Sequence, residues 1–210
     1  MLPPDLPLFP LPATVLFPNV FLPLHIFEAR YRAMVADALA GDRMIGMTLL
    51  KPGHEADYEG TPPVYPIGCA GVITHSEQLE DGRYNIVLRG IERFRIEDET
   101  VGLAYRRARI TPLPEPLDQE MRDVLRRQRQ RLEAVLIAAI ERSGAEPRFP
   151  PSMPDDDLVN ALSQYLQFEP VERQALLERQ GAVDRCQGLI ELLQMKIMAP
   201  PGIWDSGATH

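Results

Sequence analysis

Leu6-Pro7-Leu8-Phe9-Pro10-Leu11-Pro12, then Val15-Leu16-Phe17-Pro18, then Leu22-Pro23-Leu24-His25-Ile26-Phe27-Glu28-Ala29-Arg30-Tyr31-Arg32 carry the reading of the fold. Apolar residues alternate with prolines. Proline holds φ near the extended region and pushes the residue before it away from the α region. The segment is therefore expected to run as short, interrupted strands across a core, because prolines survive in sheets mainly at edges and strand starts. At Phe27 the rhythm changes to 3.6 residues. Phe27, Tyr31, Met34, Val35, Ala38 and Leu39 share one face, which predicts a helix over 27–40 stopped by Gly41.

Working outward, Met44–Leu50 reads as a short apolar strand, and Lys51–Pro66 as a long proline- and glycine-rich loop. Long loops in compact domains are often functional. Gly68–Leu79 and Tyr84–Ile96 read as strands joined around Asp81-Gly82, the strongest hairpin signal in the chain. Gly90 inside the second run predicts a bulge or bend of the kind that curls a sheet toward a barrel. Leu103–Ile110 is expected to be the last strand.

Pro112, Pro114 and Pro116 form a stiff spacer, after which the pattern is helical. Asp118 is the expected N-cap of a helix over 119–142, with Gly144 as its C-cap. A second proline-rich loop spans Pro147–Pro154. Further helices are expected over 157–167, from Pro170 to near Gly181, and over 183–198. The expected organisation is a β subdomain over 1–113, a helical subdomain over 117–199 and a frayed tail over 200–210.

Composition is that of an ordinary globular protein, 45% hydrophobic and 25% charged. The net charge of −8 disfavours nucleic acid and anionic membranes as general partners. The N-terminal apolar run lacks a positive region and is broken by proline, so it does not read as a signal peptide. No run approaches the roughly 18 apolar residues of a membrane span. Cys69 and Cys186 lie in apolar surroundings and are expected to be buried, reduced thiols, with a disulfide as the alternative. The expected location is cytoplasmic.

Four stretches carry a family resemblance. Gly68-Cys69-Ala70-Gly71-Val72-Ile73 and Gly82-Arg83-Tyr84-Asn85-Ile86-Val87-Leu88-Arg89-Gly90-Ile91-Glu92-Arg93-Phe94-Arg95-Ile96 resemble the two central strands of the amino-terminal, substrate-binding domain of Lon proteases. The opening segment resembles that domain's start, and Glu172-Arg173-Gln174-Ala175-Leu176-Leu177-Glu178 followed by Arg185 is similar to its helical part. The resemblance implies an α+β fold: an N-terminal PUA-like β pseudobarrel with one early helix, followed by an α-helical bundle, as also in the Lon-like domain of cereblon. It further implies a non-catalytic module that binds unfolded polypeptide or a protein partner, with a protease or chaperone as a further candidate partner.

Catalytic readings find little support in the residues. The phosphate-cradling Gly-x-x-x-x-Gly-Lys-Ser/Thr of an ATPase does not occur, and no serine has a lysine nearby in sequence. His25, His54, His75 and His210 lack metal-ligand spacing, so no cofactor or metal is expected. His54 with Glu55, Asp57 and Glu59 reads as a solvated acidic loop before a weak metal site. Cys69 and His75 are six residues apart on one strand, about 20 Å at ~3.3 Å each, which is too far for a nucleophile pair. Glu28, Arg30 and Arg32 read as a helix start and an anchor, and His25 as structural.

Peptide contact is therefore sought on loops, which carry function on rigid scaffolds. Tyr58, Tyr65, Phe149 and Met153 are the candidate peptide-binding residues, ahead of Phe9, Phe17, Phe21 and Phe27. An edge strand could also take a peptide by β-addition. The alternative function is RNA binding through Arg83, Arg89, Arg93, Arg95, Arg106, Arg107 and Arg109 on the sheet; a continuous positive stripe would favour it and interleaved acids would oppose it. Arg122, Arg126, Arg127, Arg129 and Arg131 alternate with acids and read as a solvated helix face. The apolar last helix leaves a homodimer open.

Overall fold

A computed structural model of the chain describes residues 2–54, 60–100, 104–141 and 152–198. Its strands are β1 (Asp5–Leu11), β2 (Phe21–Ile26), β3 (Met44–Leu49), β4 (Ile67–Gln78), β5 (Tyr84–Thr100) and β6 (Arg107–Leu113). Its helices are α1 (Ala29–Ala40), α2 (Gln119–Glu141), α3 (Asp155–Tyr165), α4 (Pro170–Leu177) and α5 (Gly181–Met198). The α+β class follows directly. Contacts divide the chain into two compact units, one built from Met1–Glu115 with Asn160–Glu178 and the other from Pro116–Val159 with the chain from Arg179.

In the first unit the strands run in the order β2-β5-β4-β3-β1-β6, and β6 also pairs with β5. Five strands thus close a ring while β2 hangs on β5. The closure is a sheet ring and not a clear barrel. It is possible because β5 is long: Tyr84–Arg89 pairs with β2, and Arg93–Thr100 pairs with β6. The expected bend occurs where the partner of β4 jumps from Glu92 to Gly90, leaving Ile91 as the extra residue. Gly90 has a second reason to be glycine. A Cβ there would lie 2.0 Å from the Phe17 carbonyl oxygen, in a backbone approach sealed by bonds from Gly90 N–H to Val20 O and from Asn19 N–H to Gly90 O, both 2.9 Å.

β1 shows how prolines are tolerated inside a sheet. Asp5–Pro7 pairs with β6 and Leu8–Leu11 with β3, so each proline has a paired strand on one side only. Leu6, Leu8, Ala70, Phe94, Ala108 and Ile110 form the core cluster inside the ring. Phe94 fits because Gly46 and Gly68 lie beneath its ring, where added Cβ atoms would come within 2.9 and 2.8 Å.

Three expectations are corrected. The first helix begins at Ala29, and Phe27 lies outside it, 62% exposed. The last strand starts at Arg107, because Arg106 turns aside to bond Glu99 and the Pro62 carbonyl. Pro112 belongs to that strand, opposite Phe94, and is not spacer.

α4 is held on the sheet by polar anchors. Its start is a capping box in which Glu169 N–H donates to the Glu172 carboxylate at 2.8 Å. Gln174 Nε2 donates to Ile67 O at 2.9 Å, and buried Arg93 donates to Leu177 O at 2.8 Å while pairing with Glu115.

In the second unit, Asp118 caps α2 as expected, its carboxylate accepting from Met121 N–H at 2.8 Å. Leu125, Leu132 and Leu136 of α2 are buried, as are Cys186, Leu189, Ile190 and Leu193 of α5. Arg129 departs from the solvated-face reading: it is 11% exposed and bonds Glu133, Asp155 and the Met153 carbonyl. Gly144 lies outside the described residues. Cys69 and Cys186 are buried and free of disulfide.

Candidate functional site

Register decides which side chains share a sheet face. On β2, β5 and β4, Phe21 stands opposite Arg89 and Arg89 opposite Val72. Pro23, Val87 and His75 form the next row out, and His25, Asn85 and Glu77 the third. Directly opposed residues point to the same side, and their sequence neighbours point to the other. Burial follows that division. Leu88, Ile86 and Ile73 are buried, whereas Phe21, Pro23, His25, Arg89, His75 and Glu77 are exposed. Pro23, Val87, His25, His75 and Asn85 line a shallow depression of about 360 Å³ on this side.

Aromatic rings border the face. Phe21 is 50% exposed and Tyr165 of α3 64%. Phe27 stacks on His25, with ring centroids 6.3 Å apart. Tyr165 meets Phe21 at one end of β2 and Phe27 lies just past the other; exposed apolar groups along one surface are candidates for contact.

A polar ladder closes the hairpin end. Asn85 Nδ2 donates to Glu77 at 3.1 Å, which turns the amide oxygen toward His25 Nδ1 at 2.8 Å. The proton on that contact therefore belongs to Nδ1, and Nε2 accepts from Arg83 at 3.2 Å. Arg83 also pairs with Asp81 at 2.6 Å. The Arg83 backbone N–H donated to Asp81 holds that carboxyl below its ordinary value. His25 is thus a surface member of a cross-strand network.

The free edge of β2 is blunted. Gly90 N–H donates to Val20 O. Alternation along the ladder then aims the backbone groups of Leu22, Leu24 and Ile26 at β5, and those of Phe21, Pro23 and His25 outward. Pro23 has no N–H to offer. The Phe21 carbonyl is already taken by the Tyr165 hydroxyl at 2.7 Å. Such an edge is poorly suited to strand addition, whereas the side-chain face beside it is open.

Among the residues singled out from sequence, Tyr65 is half-buried in the first unit, its N–H bonded to Leu49 O. Met153 is half-buried in the second. Tyr58 and Phe149 lie outside the described residues, as do Glu55, Asp57 and Glu59. Phe9 and Phe17 are core residues, 5% and 0% exposed. Phe21 and Phe27 are the exposed members of that group. Tyr165 carries no local signal of this contact: nothing in Ser163-Gln164-Tyr165-Leu166-Gln167-Phe168, at a helix end, marks a neighbouring strand edge.

Four of the seven sheet arginines meet carboxylates. Arg83 pairs with Asp81, Arg93 with Glu115, Arg106 with Glu99 and Arg107 with Asp5. A second hollow of about 180 Å³ holds Asp5, Asp37 and Asp42, but Arg107 occupies Asp5 and the Tyr105 hydroxyl occupies Asp37 at 2.7 Å. Burial first, and then that carboxylate, pushes the Tyr105 hydroxyl above its ordinary value. Among the described residues no group of three His, Cys, Asp or Glu side chains is placed to hold a metal ion.

Residues 5–195 match the family model of the ATP-dependent protease La (LON) substrate-binding domain. The chain is 24% identical over 204 residues to the Lon protease of Cytophaga hutchinsonii, covering 91% of this chain and 24% of that protein. It is 25% identical over 163 residues to the Lon protease of Dictyoglomus thermophilum, covering 77% of this chain and 19% of that protein. The chain therefore spans a quarter or less of these relatives. The fold is similar to a Lon N-terminal domain protein from Xanthomonas campestris, with TM-score 0.59, 23% identity and coverage of 93% and 99% of the two chains. It is also similar to the N-terminal domain of Mycobacterium avium complex Lon protease, with TM-score 0.63, 18% identity and coverage of 90% and 98%.

Proposed function

This chain belongs to the Lon substrate-binding domain family, and from that membership we propose that it is a non-catalytic peptide-binding module of the cytoplasm. It takes apolar segments of unfolded polypeptide on the outward face of β2, β5 and β4 and serves as an adaptor or regulator in protein quality control. The observation that carries this reading is the aromatic border of Phe21, Phe27 and Tyr165 around an open sheet face. A flat surface with rigid aromatic anchors binds many sequences weakly, since apolar contact is non-directional. Side chains do the binding, because the neighbouring edge is closed to strand addition by Pro23 and the Tyr165 hydroxyl. Tyr58, Tyr65, Phe149 and Met153 are retained as proposed loop contacts. None of the described helices is long and apolar enough to cross a membrane.

The RNA reading is weaker, because acids interleave with the sheet arginines and four of the seven are paired with carboxylates. The test is fluorescence anisotropy with a labelled, permanently unfolded polypeptide, run beside labelled single-stranded RNA at low and high salt. Binding of the polypeptide that persists at high salt, weakened by Phe21→Ser, is the expected result. Binding of RNA alone, with strong salt dependence, would transfer the function to the arginines. Sedimentation of the complex reports whether the binding form is one copy or two.

A further inference from the structure

The peptide-binding face is not evenly apolar. Arg89 lies on its central strand, between Phe21 on one side and Val72 on the other. Four other sheet arginines meet carboxylates, whereas the guanidinium of Arg89 meets the side-chain oxygen of Asn19 at 3.0 Å, a neutral acceptor. Among the described residues it has no acidic partner within ion-pair distance. A guanidinium carries five N–H donors in a fixed fork that matches a carboxylate. One bond to an amide leaves its charge uncompensated and most of its donors turned to solvent. Asn19 orients it: this residue sits at φ 60°, in the left-handed region that asparagine tolerates, at the turn leading into β2.

We propose that the polypeptide segments bound on this face carry an acidic side chain set among apolar residues, and that Arg89 receives it. The inference rests on the reading of this face as a peptide-binding surface. Charge complementarity identifies the ligand: at the Phe21–Arg89–Val72 row, one exposed, oriented cation between apolar side chains selects an apolar segment with one anion. A side chain is the source, not a chain terminus, because Arg89 is flanked by apolar residues on both neighbouring strands. The ligand backbone must therefore continue past it to cover Phe21 and Val72.

The experiment uses a short labelled peptide centred on Leu-Val-Phe-Asp-Phe, with matched peptides in which Asn or Lys replaces Asp, titrated with the full chain. The expected result is that the Asp peptide binds about tenfold more tightly than the Asn peptide, as a charge-assisted pair provides. The preference shrinks at high salt. Arg89→Gln removes it, and Arg89→Glu reverses it toward the Lys peptide. That reversal cannot come from misfolding. Equal affinity for the Asp and Asn peptides, or a preference that survives Arg89→Gln, overturns the proposal. If both peptides bind equally and Phe21→Ser weakens both, the acid preference falls while the peptide-binding face stands. If no peptide binds, both fall. Arg89-dependent binding of single-stranded RNA without peptide binding overturns both in favour of nucleic acid.

Discussion

Gly90 is the residue on which the sheet bends, and it shows what a single missing Cβ permits. The Phe17 carbonyl lies where that atom would be. Gly90→Ala must push apart two backbones already bonded to each other, so its expected cost is about 3 kcal/mol, in the upper range for overpacking, read from the urea midpoint. The sequence marked Gly90 as a bend, but not the approach of Phe17, because 73 positions separate the two. Cys186 makes a separate case. Burial, and then the charge of Asp155, pushes its thiol from 9.0 up to about 12. A raised value means that the neutral thiol is favoured in the fold. Its contribution is complete below pH 9 and is lost as pH rises from 9 toward 12. The stability of Cys186→Ala should therefore decline less steeply over that window, by up to about 1.4 kcal/mol per pH unit, as followed by denaturant melts across the range. At neutral pH the native thiol should resist alkylation, and unfolding should expose it.

At the scale of elements, α4 depends on polar anchors more than its eight residues suggest. Arg93 is 6% exposed and joins Glu115 to the Leu177 carbonyl. Arg93→Met leaves a carboxylate and a carbonyl without their donor in a dry site. The expected loss is about 3 kcal/mol, as for breaking a buried pair. Hydrogen exchange should show α4 amides losing protection before those of the ring strands. Adding Glu115→Leu should restore much of the loss, because the orphaned charge is then gone. Pro170 marked the start of α4, whereas its end falls at Leu177, before the expected Gly181. The partners of Arg93 were illegible, because an arginine in an alternating strand reads equally well as solvated, as RNA-binding or as buried and paired.

Across the whole molecule, the first unit is assembled from two stretches of chain, so a cut between Glu115 and Pro116 removes part of it. A fragment of residues 1–115 would expose Arg93 and the Ile67 carbonyl, whose partners come from Leu177 and Gln174. It is expected to lose the sharp cooperative transition of the full chain, as calorimetry on both would show. Phe21→Ser should act in the opposite way. Phe21 is half exposed and contributes little to the core, so Tm should stay nearly constant while affinity for an unfolded polypeptide falls about tenfold, as for the loss of one aromatic anchor. The candidate face was only partly legible. Phe21 and Phe27 stand out in the sequence, yet the loop aromatics rank above them, since function on loops is the more general rule.

The order and type of the elements can be read along the chain: interrupted proline-rich strands, one early helix, the Asp81-Gly82 hairpin and a run of helices with Asp118 and Pro170 at their starts. These are local properties, set by backbone restrictions and by periods of two and 3.6 residues. Only the tertiary structure decided that β6 closes on the far half of β5, that each proline of β1 has one paired side, and that Phe21, Arg89 and Val72 form a single row. Register between strands depends on which distant segments bury their apolar faces together, and a one-residue slip would send every one of these side chains to the other side of the sheet.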